Sequence, residues 1–154
     1  MTKEELAKTK LQAENLISEL GVAAEVKVEW DKELNILSFQ LESENAASLI
    51  GFHGETLQSI QLILSLVIHK VIGRWIRVLV NVGDYRQKRE EQLKKLALNL
   101  AMKVKFSGEV QTVPNLSASE RRIIHLALAD HPDVVTQSEG EGRERELVIK
   151  PKQI

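Results

Sequence analysis

Two glycines, Gly51 and Gly54, stand two residues apart between two segments with helical apolar spacing. The shorter segment is Ala46–Ile50. The longer runs from about Glu55 to Ile72, with Leu57, Ile60, Leu64, Val67, Ile68 and Val71 recurring at helical intervals. A G-x-x-G turn that opens a helix presents backbone N–H groups at the positive end of the helix dipole. Glycine has no Cβ, so another backbone can approach closely. Together these properties make a seat for a phosphate chain. The plain alternative is a helix corner closed by C-cap glycines, and the tetrapeptide Gly-Phe-His-Gly alone favours it. The flanking pattern has to decide between the two.

That pattern changes period several times. Residues 3–20 read as a helix with Leu6, Ala13, Leu16, Ile17 and Leu20 on one face and Gly21 as its stop. From Ala24 the period becomes two. Ala24, Val26, Val28 and Trp30 alternate with Glu25, Lys27 and Glu29, which predicts a half-buried strand. After a turn at Asp31-Lys32-Glu33, residues 34–41 form a second strand and complete a hairpin. The helix–GFHG–helix unit follows and ends at Gly73. Residues 74–82 are a third strand, with Ile76, Val78, Val80 and Val82 facing one way. The order is helix, strand, strand, helix, helix, strand. It resembles a type II KH domain, and the Gly51–Gly54 turn falls between the adjacent helices, where that family carries its GXXG loop. The resemblance implies a clamp for about four nucleotides of single-stranded RNA or DNA at Gly51, Phe52, His53 and Gly54.

Gly83 marks the expected boundary, which gives domains at 1–83 and 84–154. A long helix starts at Asp84, with Leu93, Leu96, Ala97, Leu100, Ala101 and Val104 on one stripe. Between Asp84 and Lys105 there are seven basic residues against three acidic ones, the most basic stretch of the chain. Arg86, Lys94 and Lys95 are its candidate phosphate contacts, set against the plainer reading of a solvated face with i,i+4 ion pairs. A short strand at 109–113 and a Pro114-Asn115 turn lead to Ser117-Ala-Ser-Glu120, a capping-box pattern that opens a helix at 118–129. Strands at 134–138 and 145–149 flank a Gly140-Glu-Gly142 turn. The second half therefore reads as a small α+β domain of order helix, strand, helix, strand, strand.

Arg121 and His125 lie four apart on the capped helix and share one face, where a guanidinium fork and an imidazole suit a phosphate. The run Ser-Glu-Arg121-Arg-Ile-Ile-His125-Leu-Ala-Leu, with the following His-Pro-Asp and the strand reaching Lys150-Pro-Lys, resembles an Arg-x-x-x-His (R-three-H) domain. A type II KH domain followed directly by this domain resembles one bacterial family, the SpoIIIJ-associated Jag proteins, over nearly the whole chain. The resemblance implies binding of single-stranded nucleic acid by both motifs. It also names a second class of partner: another small KH protein, a second copy, or an envelope-related protein. Family members typically carry a basic residue between the loop glycines. Here Phe52 and His53 stand there, so the loop offers backbone amides and a stacking ring without a fixed charge. The chain opens at the KH helix, so roles tied to the extra N-terminal domain of many family members are not expected of it.

Composition narrows the rest. Apolar content of 43% and charged content of 28% suit a folded chain. The absence of cysteine excludes disulfides and thiolate metal sites and suits a reducing cytoplasm. No apolar run is expected to reach membrane-spanning length. The four histidines show no metal-ligand spacing, and no G-x-S-x-G elbow or Walker loop is present. No cofactor or metal, and no enzymatic role, is therefore expected. The net charge of −1 places any attraction for nucleic acid in local patches. The expected function is a cytoplasmic binder of single-stranded RNA acting as an RNA chaperone or post-transcriptional regulator, with a protein-interaction adaptor as the alternative. Aspartate at Gly51 and Gly54 is expected to repel a phosphate while leaving an exposed turn folded.

Overall fold

A computed structural model describes residues 1–152. The chain divides into two compact units, Met1–Arg86 and Gln87–Ile154. Both are α+β.

In the first unit, α1 (Lys3–Glu19) begins at a capping box. The Thr2 side chain accepts from the Glu5 N–H, and the Thr2 N–H donates to the Glu5 carboxylate at 2.8 Å. Strand β1 (Glu25–Asp31) pairs antiparallel with β2 (Ile36–Glu42), and β2 pairs parallel with β3 (Arg77–Val82), giving the sheet order β1-β2-β3. The parallel pair needs a crossover. It is supplied by α2 (Ala46–Ile50), a single 3₁₀ turn at Phe52–Gly54 and α3 (Glu55–Ile72). Leu57, Ile60, Leu64 and Ile68 of α3 meet Leu37, Phe39, Leu41, Val78, Val80 and Val82 of the sheet in one core with Ala13 and Ile17 of α1. The period-two and helical patterns thus converge on one buried layer.

Several expectations need correction here. Residue 34 lies outside β2, because the Asp31 carboxylate accepts from both the Glu33 and Leu34 N–H groups at 2.9 Å and Asn35 takes a left-handed φ of 54°. Strand β3 starts at Arg77 rather than Arg74. Trp75 leaves the strand line to stack on His69, ring centroids 3.9 Å apart. Phe52–Ile72 does reach the length and hydropathy of a membrane span, contrary to the sequence reading. Four of its residues nevertheless belong to the core above, as in the central helix of a folded domain.

The second unit is built on α4 (Tyr85–Ser107), whose first two residues, Tyr85 and Arg86, belong to the first unit. Its core stripe is Leu93, Ala97, Ala101 and Val104, with Leu100 partly buried; Leu96 is exposed. Strand β4 (Gln111–Val113), α5 (Ala118–Leu128), β5 (Val134–Glu139) and β6 (Glu146–Pro151) follow. The sheet order is β4-β6-β5, all antiparallel. Ile124 and Leu128 of α5 pack on Leu147 and Ile149 of the central strand β6.

Candidate nucleic-acid interface

The Gly51–Gly54 turn is held by its backbone. Gly51 has φ 70° and ψ −170° and closes α2, its N–H donating to the Ala47 carbonyl at 2.9 Å. Gly54 has φ 84° and opens α3 without a side-chain cap among the described residues; the Gly54 and Glu55 N–H groups donate to the Gly51 and Phe52 carbonyls, which leaves the next N–H groups of the first turn beyond the reach of a capping side chain. His53 takes φ 50°, a left-handed conformation uncommon outside glycine. Its ring stacks on Phe52 with centroids 4.0 Å apart, and Phe52 is 65% exposed. The His53 Nδ1 is buried with no hydrogen-bond partner among the described residues. The turn thus places a flat ring pair beside a dipole-positive helix start that lacks a side-chain cap.

Neither glycine tolerates a side chain, so the expectation about aspartate at these positions is corrected. A Cβ on Gly51 would stand 2.0 Å from Thr56 Oγ1, and one on Gly54 would stand 2.9 Å from the Tyr85 hydroxyl. Gly54 is buried, and both φ values are positive. Aspartate at these positions would disrupt the turn itself.

Arg121 and His125 project from α5, positioned by a second capping box. Ser117 Oγ accepts from the Glu120 N–H, and the Ser117 N–H donates to Glu120 Oε2 at 2.8 Å. Arg121 Nη1 donates to the Leu116 carbonyl at 2.6 Å and reaches the Arg145 carbonyl at 3.5 Å. His125 is exposed, and its Nδ1 lies 2.6 Å from Thr136 Oγ1 on β5. The bond to Thr136 orients the exposed ring, whose Nε2 makes no hydrogen bond among the described residues. Nη2 and Nε of Arg121 make no hydrogen bond among the described residues.

The basic residues of α4 behave differently from one another. Arg86 Nε and Nη2 donate to the Val80 carbonyl at 3.2 and 3.0 Å, and Nη2 also donates to Gln61 Oε1 at 2.8 Å. Gln61 Oε1 in turn accepts from the Val80 N–H at 3.1 Å. Burial against these groups pulls the Arg86 guanidinium below its ordinary pKa, with Tyr85 opposing. Arg89 Nε donates to Glu120 Oε1 at 2.8 Å, both side chains largely buried. Lys94 pairs with Glu90 at 2.6 Å and Lys105 with Asp133 at 2.9 Å. Lys95 and Lys103 are exposed and make no ion pair among the described residues. The plainer reading of this helix, internal and i,i+4 pairs, accounts for most of its charge. The capping box marks Glu120 in the sequence, but not its ion pair with Arg89, which joins that residue to the α5 cap. The sequence reading missed Gln61 and Thr136, which orient Arg86 and His125. No local motif marks Gln61 or Thr136.

The comparisons with known proteins agree with this layout. Residues 10–81 match the KH domain of KhpA/KhpB, and residues 91–151 match the R-three-H domain. A protein of Clostridium symbiosum described as RNA-binding protein KhpB is 35% identical over 139 residues, which is 90% of this chain and 63% of that protein. Its namesake in Bacillus subtilis strain 168 is 32% identical over 152 residues, 96% of this chain and 71% of that protein. The namesake in Lactiplantibacillus plantarum is 31% identical over 134 residues, 87% of this chain but 41% of that protein. The chain thus spans less than two thirds of the first relative's length and well under half of the third's. The element order, the turn between α2 and α3, the Arg121/His125 pair on α5 and the match to the B. subtilis protein over both domains place this chain in the KhpB family, a KhpA/KhpB-type KH domain followed by an R-three-H domain.

Proposed function

We propose that this chain binds single-stranded RNA without cofactor or catalysis, as a cytoplasmic RNA chaperone or post-transcriptional regulator. The observation that carries the reading is the Gly51–Gly54 turn: two positive-φ glycines that exclude side chains, a start to α3 that lacks a side-chain cap and the exposed Phe52 ring. Backbone amides and a ring accept a phosphate and a base without regard to sequence. Arg121, His125 and Lys95 supply a weak charged surface in the second unit, and the names of the relatives agree with the ligand class. The test is titration of a labelled single-stranded RNA at several salt concentrations. Log affinity should fall with log salt at roughly −0.7 per phosphate contact. Absence of binding to any single strand at low salt overturns the reading.

One observation favours the adaptor as a second reading. Leu62, Ile63 and Leu66 lie exposed on α3, and Trp75 is 65% exposed beside them in sequence order. An apolar helix face of this kind suits a protein partner such as another small KH protein or a second copy. Leu66→Glu should then abolish any association detected by sedimentation without changing RNA affinity.

A further inference from the structure

The C-terminal end of α4 carries an exposed apolar stripe that neither the core nor the two motifs use. Leu98, Met102 and Phe106 recur every four residues, and Phe106 is 80% exposed. Met102, Lys103, Phe106, Ser107, Glu109 and Gln111 line one open cavity of about 520 Å³. Several acceptors gather there. A helix C-terminus leaves its last carbonyls without intrahelical donors and lies at the negative end of the dipole. The Glu109 carboxylate is exposed and makes no ion pair or hydrogen bond among the described residues. Lys103, also without an ion pair, is the cation beside them.

These groups define their ligand by elimination. A phosphate alone would meet the carboxylate and the helix carbonyls, and would be repelled. A saturated apolar ligand would leave Glu109 unanswered. A nucleobase has a face to lie on Phe106 and Met102. Guanine also has two adjacent donors on one edge, its N1–H and its exocyclic amine, which a carboxylate can accept together. Adenine offers one donor on the corresponding edge, and uracil one. Lys103 can meet the phosphate that follows. We propose that this cavity is a base-stacking subsite for a guanine of a bound single strand, with Phe106 as platform, Glu109 as edge acceptor and Lys103 as phosphate contact. The proposal deepens the RNA-binding reading and rests on it.

The experiment uses the full chain and two probes, a short oligouridylate and the same oligomer with one uridine replaced by guanosine. The parent should bind the guanosine probe about tenfold tighter, the value of one good two-bond base contact. Phe106→Ala should remove most of that advantage, as should Glu109→Gln, which leaves only one acceptor. Both side chains are exposed, so both variants should keep the parent's circular dichroism and melting. Equal affinity of the parent for both probes overturns this subsite and leaves the RNA reading standing. A guanosine preference that survives in Phe106→Ala does the same. Failure of the parent to bind either probe overturns both. If Phe106→Ala instead converts a self-associated parent to monomer, the stripe is a contact between copies and the subsite falls.

Discussion

At the turn between α2 and α3, the proposed site is main chain and two stacked rings. On α5 it is a guanidinium and an imidazole, each tethered by hydrogen bonds to its own domain. The first would draw on helix N–H groups whose strength does not titrate and whose geometry depends on two glycines. The second would draw on side chains that can be exchanged one at a time. A backbone site is therefore hard to tune without breaking the fold, whereas a side-chain site can be weakened or strengthened in place. The same contrast recurs in the two capping boxes. Thr2/Glu5 stands at the surface with Arg74 beside it, whereas in Ser117/Glu120 the carboxylate is buried and bonded to Arg89.

The largest expected effect comes from Gly51→Ala. A methyl group would meet Thr56 Oγ1 at 2.0 Å on a backbone already at φ 70°, and the loss should be about 3 kcal/mol of unfolding free energy. Denaturant unfolding measures it, and an unchanged midpoint would mean the turn is not locked. Next is Glu120→Gln, which leaves Arg89 partly buried beside a neutral amide. It should lose about 2 kcal/mol, enough to separate the buried cap from the exposed one. Arg121→Ala should be milder. It should weaken RNA binding roughly three- to tenfold at low salt and lower the salt slope by about 0.7. A drop in melting temperature with unchanged affinity would make Arg121 a brace for the Leu116 carbonyl only.

The smallest effect is expected for Glu5→Gln, and it carries a pH signature. The Thr2 N–H, more than the nearby Arg74, holds the Glu5 carboxyl below its usual pKa, while partial desolvation works against both. A lowered folded-state pKa adds stability above the unfolded carboxylate pKa, and that stability is lost as pH falls through the folded value. Parent and variant should therefore differ slightly at neutral pH and converge in acid. A difference that persists at low pH would assign the effect to packing.

Much of the architecture was legible in local pattern. The changes of period placed the helices and strands, and Ser117-x-x-Glu120 announced a cap that is formed by both of its hydrogen bonds. The element ends that moved did so for reasons a periodicity cannot carry: Asp31 capturing two N–H groups, and Trp75 turning aside to His69. The charge on α4 was the least legible. Seven basic residues in one helix look like a patch, but Arg86 and Arg89 find partners at Val80 and Glu120, on other elements. Those partners were invisible until the chain folded. The glycine turn shows the opposite case. Its position was evident, yet its intolerance of a side chain came from the positive φ of both glycines and from Thr56 and Tyr85 pressing on them.

The Gln61–Arg86 pair has a consequence outside ligand binding. Strand β3 is an outer strand of its sheet, and the main-chain groups on such a strand invite another chain to add on. At Val80 both the N–H and the carbonyl are already taken, one by a carboxamide and the other by a guanidinium. On the opposite outer strand, β1, Glu25, Lys27, Glu29 and Asp31 are all exposed and charged. The sheet is thus guarded at both margins, by bonded side chains on one and by charge on the other. Removing Gln61 and Arg86 together would reopen the first margin, and the liability created would be strand-to-strand aggregation at high protein concentration.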